Sequence, residues 1–295
     1  MTPIANGNSH WRNDVLKDVL FGPAGYPPEA RGNPKKVFEI IREAGLTALE
    51  YAAVRGLNTS EEKARLIGKY AAYNGITMSL HAAYYISLAS TNMETRETSK
   101  QRLIKALKFA PWMGVKRIVF HAGTHGGLSD DESHSVIKNA LQEVWEQAGY
   151  LGEGALLAPE IAGKIKAFGS VEELIRLCSE LEGTIPTLDW AHLYARSQGE
   201  INDKDSYLKI LQRFEDGLGS LFVKNMHFHI SGIEYTKAGE SKHQPLGSEW
   251  GPDILPLMEI VDEVGYKPTF ISESTEPIRG ALYAKYVLEE LENSR

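Results

Sequence analysis

At 295 residues the chain exceeds the usual size of one domain, although α/β barrels reach this length as a single domain. Its hydrophobic fraction of 42% and charged fraction of 24% are ordinary for a soluble globular protein. A formal net charge of −7 argues against sequence-independent nucleic-acid binding over a broad surface, since such binding needs a basic face. Divalent cations bound at buried carboxylates would weaken this argument, because they would offset part of the charge.

The sequence also predicts the compartment. No apolar run approaches the ~20 residues of a membrane span. Residues 1–17, with His10, are polar without an apolar signal core, and we expect them to be a loose arm. The only cysteine, Cys178, falls in a helix-like segment where we expect it to be buried, so no disulfide can form within the chain. We therefore expect a cytoplasmic monomer without a membrane partner. His134, at the start of a predicted helix, is expected on the surface.

Strand-like and helix-like segments alternate eight times along the chain. The predicted strands span residues 19–22, 46–52, 76–81, 115–121, 154–160, 184–189, 221–230 and 267–273. The predicted helices span residues 34–45, 60–75, 95–113, 130–148, 170–182, 203–217, 252–265 and 278–292. Such alternation indicates a parallel sheet, and eight units favour a closed barrel over an open sheet. The sequence therefore predicts an α/β fold, a single-domain (β/α)8 TIM barrel over residues 1–295.

The ends of three predicted helices carry local signals. Pro34 occupies a predicted first helical position, where its missing N–H costs nothing. Ser60 is a predicted N-cap, because its hydroxyl can accept a hydrogen bond from a free backbone N–H of the first turn. Ser170 and Glu173 have the spacing of a capping box. These signals fix where helices begin but say nothing about function.

Six residues with metal-binding side chains each end one of the predicted strands. They are His81, His121, Glu160, Asp189, His229 and Glu273. The carboxyl ends of the strands of a (β/α)8 barrel meet at one face, which carries the active site in enzymes of this fold. Six such residues at one face indicate one site built from most of the chain. The sequence therefore predicts a metalloenzyme.

The mixture of imidazole and carboxylate groups predicts the metal. It suits zinc, and also manganese or ferrous iron, whereas oxygen ligands alone suit magnesium or calcium. His192, three residues after Asp189, and His243 are further candidates, and together the candidates exceed what one ion needs. We expect two or three ions, zinc foremost, with Glu160 as a bridging carboxylate. Multinuclear sites of this kind recur in enzymes that displace at phosphorus.

Other polar residues lie near the predicted site. His227 shares a strand face with His229, because strand side chains alternate with a period of two, and we expect it one layer deeper. His125 lies in a glycine-rich loop after His121 and is a candidate for contact with substrate or for support of the site. Tyr84 is a candidate for stacking on the substrate at the mouth of the barrel.

Several segments resemble motifs of endonuclease IV, the zinc-dependent apurinic/apyrimidinic endonuclease family within the xylose-isomerase-like barrels. HAAYYISLAS at 81–90 resembles the family's H-A-P-Y-x-I-N-L-A-S, and FHAGTH at 120–125 resembles F-H-P-G-S-H. PEIAGK at 159–164 resembles E-N-T-A-G, LDWAHLYARSQG at 188–199 resembles D-T-C-H-x-x-x-x-G, and ISES at 271–274 resembles the terminal E-T strand. The similarity runs from about Gly22 to Glu273, and each motif falls in order on its predicted strand.

This resemblance implies a trinuclear zinc site and a reaction. The implied ligands are His81, His121 and Glu160 for one ion, Glu160, Asp189, His229 and Glu273 for the second, and His192 and His243 for the third. Family members cleave the phosphodiester 5′ to an abasic site and leave a 3′-hydroxyl. In that reaction Glu160 and Glu273 would be the catalytic carboxylates, and Tyr84 falls at the position of a DNA-contacting tyrosine.

The chain departs from the family pattern in two places. The third-metal motif D-R-H is replaced by ESKH, which puts Ser241 in the position of the aspartate. Glu240 could substitute as a ligand if the loop shifts. The family's DNA-inserting loop after the second strand, with its Arg-Gln-Trp element, is also missing, and Arg55 could replace it only in part.

Three functions remain as alternatives at this point. The first is a metal-dependent phosphodiesterase that acts on DNA with abasic sites. The second is a sugar isomerase or epimerase of the same barrel superfamily, which would use one or two ions to bind a hydroxy-carbonyl. The third is a barrel that binds metal or nucleic acid without catalysis, and the ESKH departure is its main support.

Overall fold

The computed structural model describes residues 18–294, so the predicted arm with His10 lies outside the described residues. The strands of this part are β1 Leu20–Pro23, β2 Ala48–Ala52, β3 Thr77–His81, β4 Val115–Phe120, β5 Leu156–Pro159, β6 Leu188–Asp189, β7 His227–Ile230, β8 Gly232–Thr236, β9 Gly239–Gln244 and β10 Thr269–Ser272. Its α-helices are α1 Pro34–Glu43, α2 Glu61–Asn74, α3 Met93–Met113, α4 Asp130–Ala148, α5 Val171–Glu180, α6 Trp190–Arg196, α7 Lys204–Leu218, α8 Ser220–Val223, α9 Leu255–Val264 and α10 Pro277–Asn293.

Parallel strands form a closed ring. One four-stranded sheet has the order β2, β3, β4, β5. A second has the order β6, β7, β10, β1. A parallel bridge between Ala24 and Glu50 joins β1 to β2, and another between Glu160 and Thr187 joins β5 to β6. The predicted α/β fold, a (β/α)8 TIM barrel, is therefore confirmed, with β10 as the eighth strand of the ring.

The elements after the fifth strand differ from those predicted. β6 is only Leu188–Asp189, and residues 221–223, predicted as strand, lie in helix α8. The antiparallel hairpin of β8 and β9 and the short helix α6 were not predicted. The polar residues of β9 gave no alternating apolar pattern, because this hairpin packs over the barrel mouth and buries little of its surface.

The local signals at helix ends are confirmed. Pro34 opens α1, the Ser60 side chain accepts from Lys63 N–H, and Ser170 with Glu173 forms a complete capping box at α5. These bonds satisfy backbone donors that the first turn of a helix leaves free. Of the helices in the described chain, none has both the length and the apolar character to cross a membrane.

Two side chains test the predicted burial. Cys178 is buried, as expected, and its burial raises the pKa of the thiol to about 12. The prediction that His134 lies on the surface is wrong, since only 2% of it is exposed. His134 stands on the face of α4 that packs beside α5, where its Nε2 lies 3.1 Å from Glu180 Oε2. Position at the start of a helix does not determine which face meets a neighbour.

The alternation of β7 separates the core from the site. Phe228 is fully buried, and its ring packs edge-on against Trp190 and Phe270 with centroids 5.6 and 5.5 Å away. Its neighbours His227 and His229 point the opposite way, because successive strand side chains alternate. Phe228 therefore packs in the apolar layer between the strands and the helices, and the two histidines point into the barrel.

Candidate metal centre

The six predicted strand-end residues meet at one carboxylate, that of Glu160. Glu160 Oε2 lies 3.1 Å from His81 Nε2 and 3.3 Å from His121 Nε2. Its other oxygen, Oε1, lies 3.1 Å from Nδ1 of His229. Two sets of ligand atoms, each within 4.8 Å of one another, share Glu160: the first set is His81, His121 and Glu160, and the second is Glu160, Asp189, His229 and Glu273. A buried carboxylate whose two oxygens face different sets is suited to bridge two cations.

Buried charge shifts the pKa values of these groups. Burial by itself would raise the pKa of Glu160, but the nearby His121 and His229 hold it well below its ordinary value. Burial raises the pKa of Asp189 and of Glu273, and the charge of Glu160 raises both further. Several carboxylates are thus crowded into a space with little water, and positive charge is needed there to hold them ionised.

Asp189 and His192 lie in position for a cation. Asp189 caps helix α6 by accepting the His192 N–H through Oδ1 at 2.7 Å. Its buried Oδ2 lies 3.4 Å from His192 Nδ1 and has no hydrogen-bond partner within residues 18–294. Buried polar atoms normally have partners, so the free oxygen is one that a metal ion would satisfy. The ring of His192 lies with Nδ1 2.9 Å from the carbonyl of Ile161, to which it can donate. The lone pair of Nε2 is then free to bind a metal.

A β-bulge directs Glu240 into the site. In the hairpin, Tyr235 pairs with Glu240 and Glu234 with Lys242, which leaves Ser241 as the extra residue. Without the bulge, Ser241 would share a face with His243, whereas the extra residue puts Glu240 on that face. Glu240 Oε2 lies 2.9 Å from His192 Nε2, and Ser241 is exposed. Gly163 leaves the necessary room, since a Cβ there would clash with Glu240.

His243 completes a third, looser group. Its ring lies 5.5 Å from that of His192, and its Nε2 lies 3.9 Å from Glu273 Oε2. Nδ1 of His243 lies 2.7 Å from the hydroxyl of Ser231, and a hydrogen bond between them orients the ring. Burial raises the pKa of Glu240 but the charge of His192 overrides it and brings the pKa to about 2. His192, Glu240 and His243 could therefore hold a third cation beside the first two sets.

His125 does not join these groups. Its Nε2 lies 2.6 Å from Glu173 Oε1 and its Nδ1 3.2 Å from the carbonyl of Lys166. Glu173 also accepts from the backbone of Gly169 and Ser170 in the capping box of α5. These contacts tie the loop after β4 to the start of α5, and contact of His125 with substrate, or support of the site by it, stays a prediction.

Tyr84 and Arg55 lie on adjacent loops. Tyr84 is 60% exposed, and its backbone N–H donates to the carbonyl of Val54 at 3.0 Å. Arg55, the next residue, is exposed on the short loop between β2 and α2. Both side chains are exposed on neighbouring loops, and their predicted contact with substrate stays a prediction.

Sequence reasoning missed Glu50, a fully buried carboxylate of β2. Its Oε2 accepts from the Ser79 hydroxyl at 2.7 Å and lies 3.1 Å from His227 Nε2. Its Oε1 lies 3.0 Å from Nε2 of His229. A lone acid inside the run LTALEYA was the available signal, because an ionised group in a strand interior needs partners. His227 lies in this deeper layer, as expected.

The fold and site together define a class, a (β/α)8 barrel with a histidine and carboxylate cluster at its carboxyl face. A family model described as xylose isomerase-like TIM barrel matches residues 38–292, and the chain belongs to this family. An uncharacterised protein of Methanocaldococcus jannaschii is 38% identical over 258 residues, which cover 87% of this chain and 92% of that relative. A probable endonuclease 4 of Aquifex aeolicus is 29% identical over 171 residues, or 57% of this chain and 60% of the relative.

Solved structures agree on the fold. Endonuclease IV from Thermus thermophilus superposes with a TM-score of 0.71 at 18% identity, covering 94% of this chain and 100% of that one. A D-tagatose 3-epimerase-like protein superposes with a TM-score of 0.70 at 19% identity, covering 94% and 98%. The predicted resemblance to endonuclease IV is confirmed by these relatives. Because epimerases match the fold equally well, the fold does not choose the reaction.

Proposed function

We propose that the chain is a metal-dependent phosphodiesterase of the endonuclease IV type, which hydrolyses the DNA backbone 5′ to abasic sites. The observation that carries the proposal is the pair of ligand sets that share Glu160. Paired ligand sets of this kind are typical of enzymes that displace at phosphorus. Relatives described as probable endonuclease 4 support the same reaction class.

The residues of the centre fit zinc. The first set offers two imidazoles and a carboxylate, and the second offers one imidazole and three carboxylates, a mixture that also admits manganese or ferrous iron. Asp189 Oδ2, which makes no hydrogen bond to any described residue, supports a bound cation at the second set. When bound, the ions would supply the positive charge that stabilises phosphate oxygens and activates water.

Protein groups would bind the substrate and move its protons. Of the two proposed catalytic carboxylates, Glu273 is the one that water can reach. Its side chain is 17% exposed, whereas the side chain of Glu160 is fully buried. A carboxylate that water can reach is suited to accept a proton from it. Tyr84 would stack on the damaged nucleotide, and Arg55 would pair with a backbone phosphate.

The short loop after β2 limits which form of DNA the chain would prefer as substrate. Only residues 53–60 connect β2 to α2, so this loop is too short to provide a long element that enters a duplex and opens it. Extrusion of a nucleotide costs least in damaged or single-stranded DNA. We therefore propose flexible or single-stranded DNA with abasic sites as the preferred substrate, acted on by a cytoplasmic monomer.

A sugar isomerase or epimerase is the second candidate. The set of Glu160, Asp189, His229 and Glu273 is sufficient to hold one ion, and a barrel resembling D-tagatose 3-epimerase matches the fold as well as endonuclease IV does. Such an enzyme would bind a hydroxy-carbonyl through that single ion. It would leave His81, His121 and the third group without a function, which is why we rank it second.

One comparison tests the proposal directly. Zinc-loaded protein is incubated with abasic single-stranded and duplex DNA and, separately, with a panel of ketoses and aldoses. We expect incision 5′ to the abasic site, faster on single strands, that stops when a chelator removes the metal and returns when zinc is restored. Isomerised sugar together with intact DNA would instead establish the second candidate.

A separate prediction concerns the third group, which consists of His192, Glu240 and His243. Because the bulge turns Glu240 toward His192, Glu240→Gln should release one equivalent of metal and leave the other two in place. A neutral amide supplies no charge to a dication, so the affinity of that position should fall by at least about tenfold, the lower bound for loss of a partner at such sites. Metal content is measured by mass spectrometry of the intact protein and by elemental analysis.

Ser241→Asp is the matched variant for this prediction. It restores the residue type of the family motif at the bulge, but the side chain of Ser241 is exposed. We therefore expect unchanged metal content in Ser241→Asp. A gain of metal in this variant, together with no loss in Glu240→Gln, would mean that the hairpin takes the unbulged register and that Glu240 is not a ligand.

A further inference from the structure

A buried polar layer lies directly under the proposed metal centre. Glu50, Ser79 and His227 are each 4% exposed or less and come from three different strands of the ring. Glu50 Oε2 accepts from the Ser79 hydroxyl at 2.7 Å and lies 3.1 Å from His227 Nε2. The carboxylate of Glu50 is thus enclosed in the barrel interior by polar partners from two other strands.

His229 connects this layer to the metal centre. Its Nδ1 lies 3.1 Å from Glu160 Oε1 and 3.5 Å from Glu273 Oε1. Its Nε2 lies 3.0 Å from Glu50 Oε1, a close polar contact, and neither of these two buried atoms makes a hydrogen bond to any of the described residues. One imidazole thus faces proposed ligands with one nitrogen and a buried carboxylate with the other.

We propose that Glu50 is a positioning residue that acts on the metal centre through His229. For Nδ1 to bind a cation, its lone pair must be free and the ring proton must sit on Nε2. With a cation on Nδ1, the carboxylate of Glu50, 3.0 Å away, would accept from Nε2–H, which would select this tautomer, orient the ring and make Nδ1 a stronger donor. The inference depends only on the metal-binding part of the proposed function and not on the substrate.

A second role for the same atoms is an additional ion at the barrel floor. Ligand atoms of Glu50, His227 and His229 do lie within 4.8 Å of one another. However, Glu50 Oε2 already accepts from Ser79, and His229 would have to give both ring nitrogens to metals. The charge of Arg117, which acts on both Glu50 and His227, opposes a further cation there. The geometry therefore favours hydrogen bonding through Glu50 over metal binding by it.

The test measures zinc affinity in Glu50→Gln by competition with a chromophoric chelator. We expect the number of bound ions to stay the same and the affinity at one position to fall about 10–100-fold, the range for such outer partners. Ser79→Ala is the matched control, since it removes a hydrogen bond to the same carboxylate without touching His229. It should bind zinc as the unmodified protein does, although both variants should melt at a lower temperature.

Nuclear magnetic resonance of the unmodified protein gives a second readout. In zinc-loaded protein, ¹H–¹⁵N correlation of the imidazoles should show the His229 proton on Nε2 and the metal on Nδ1. If Glu50→Gln does not fold because Arg117 loses its countercharge, the neutral pair Glu50→Gln with Arg117→Met replaces it in the affinity measurement. Neither measurement reads DNA incision, so failure of the nuclease proposal is distinguishable from failure of this one.

Three results would overturn the inference. The first is unchanged zinc affinity in Glu50→Gln. The second is loss of one whole equivalent of zinc in that variant, which would make Glu50 a ligand of its own ion. The third is a His229 ring with its proton on Nδ1 in the zinc-loaded protein.

Discussion

Glu160→Gln is expected to weaken metal binding at two positions together. The carboxylate is fully buried and its two oxygens face different ligand sets, so one substitution removes a charged ligand from both. A neutral amide cannot balance two dications, and the loss should exceed the roughly 100-fold upper range for outer partners at each position. Titration with zinc, followed by elemental analysis after gel filtration, measures both affinities.

The control for this prediction is Glu240→Gln, a substitution of the same type at the third group. It should cost one ion, whereas Glu160→Gln should affect two. Incision of abasic DNA should disappear with the two ions. If Glu160→Gln instead loses only one equivalent and keeps the other at full affinity, Glu160 does not bridge and the paired centre is wrong.

His121→Ala is expected to abolish incision while leaving the second ligand set intact. His121 lies with His81 and Glu160 in the first set and is absent from the set of Asp189, His229 and Glu273. A phosphodiesterase that needs both ions should lose activity by more than about 100-fold, by analogy with the loss of an electrostatic group that stabilises the transition state. Initial rates on abasic DNA, with metal content measured in parallel, test this.

The same variant distinguishes the two candidate functions. A sugar isomerase that uses only the second set would keep its activity in His121→Ala. His125→Ala is the matched control, since it removes a histidine four residues further along the same segment whose contacts are with Glu173 and Lys166. If His121→Ala cuts abasic DNA as fast as His125→Ala does, then the ion of the first ligand set is not needed for incision.

The barrel itself supports several chemistries, and the ligands decide among them. Epimerases and endonuclease IV superpose on this chain with nearly equal TM-scores. Both classes place functional residues at the carboxyl face, so fold likeness is shared by both candidates. What separates them here is the presence of His81 and His121 beside Glu160, at 3.1 and 3.3 Å.

The sequence by itself determined the barrel and the six strand-end residues. Burial imposes a period of two on strands and of about 3.6 on helices, and both periods are visible in consecutive residues. A strand end can therefore be read locally, and the residue that follows the last apolar position of a parallel strand must face the carboxyl side. His81, His121 and Glu160 were predicted in this way, and the structure brings their side chains together.

Tertiary structure alone decided the residues held by contacts between distant strands. The choice of Glu240 over Ser241 depends on a bulge in the pairing of β8 with β9, and one residue of register exchanges the two faces. The partners of Glu50 come from β3 and β7, so an acid in a strand interior becomes meaningful only when Ser79 and His229 are placed beside it. Register and cross-barrel proximity are properties of paired strands, and no single stretch of sequence carries them.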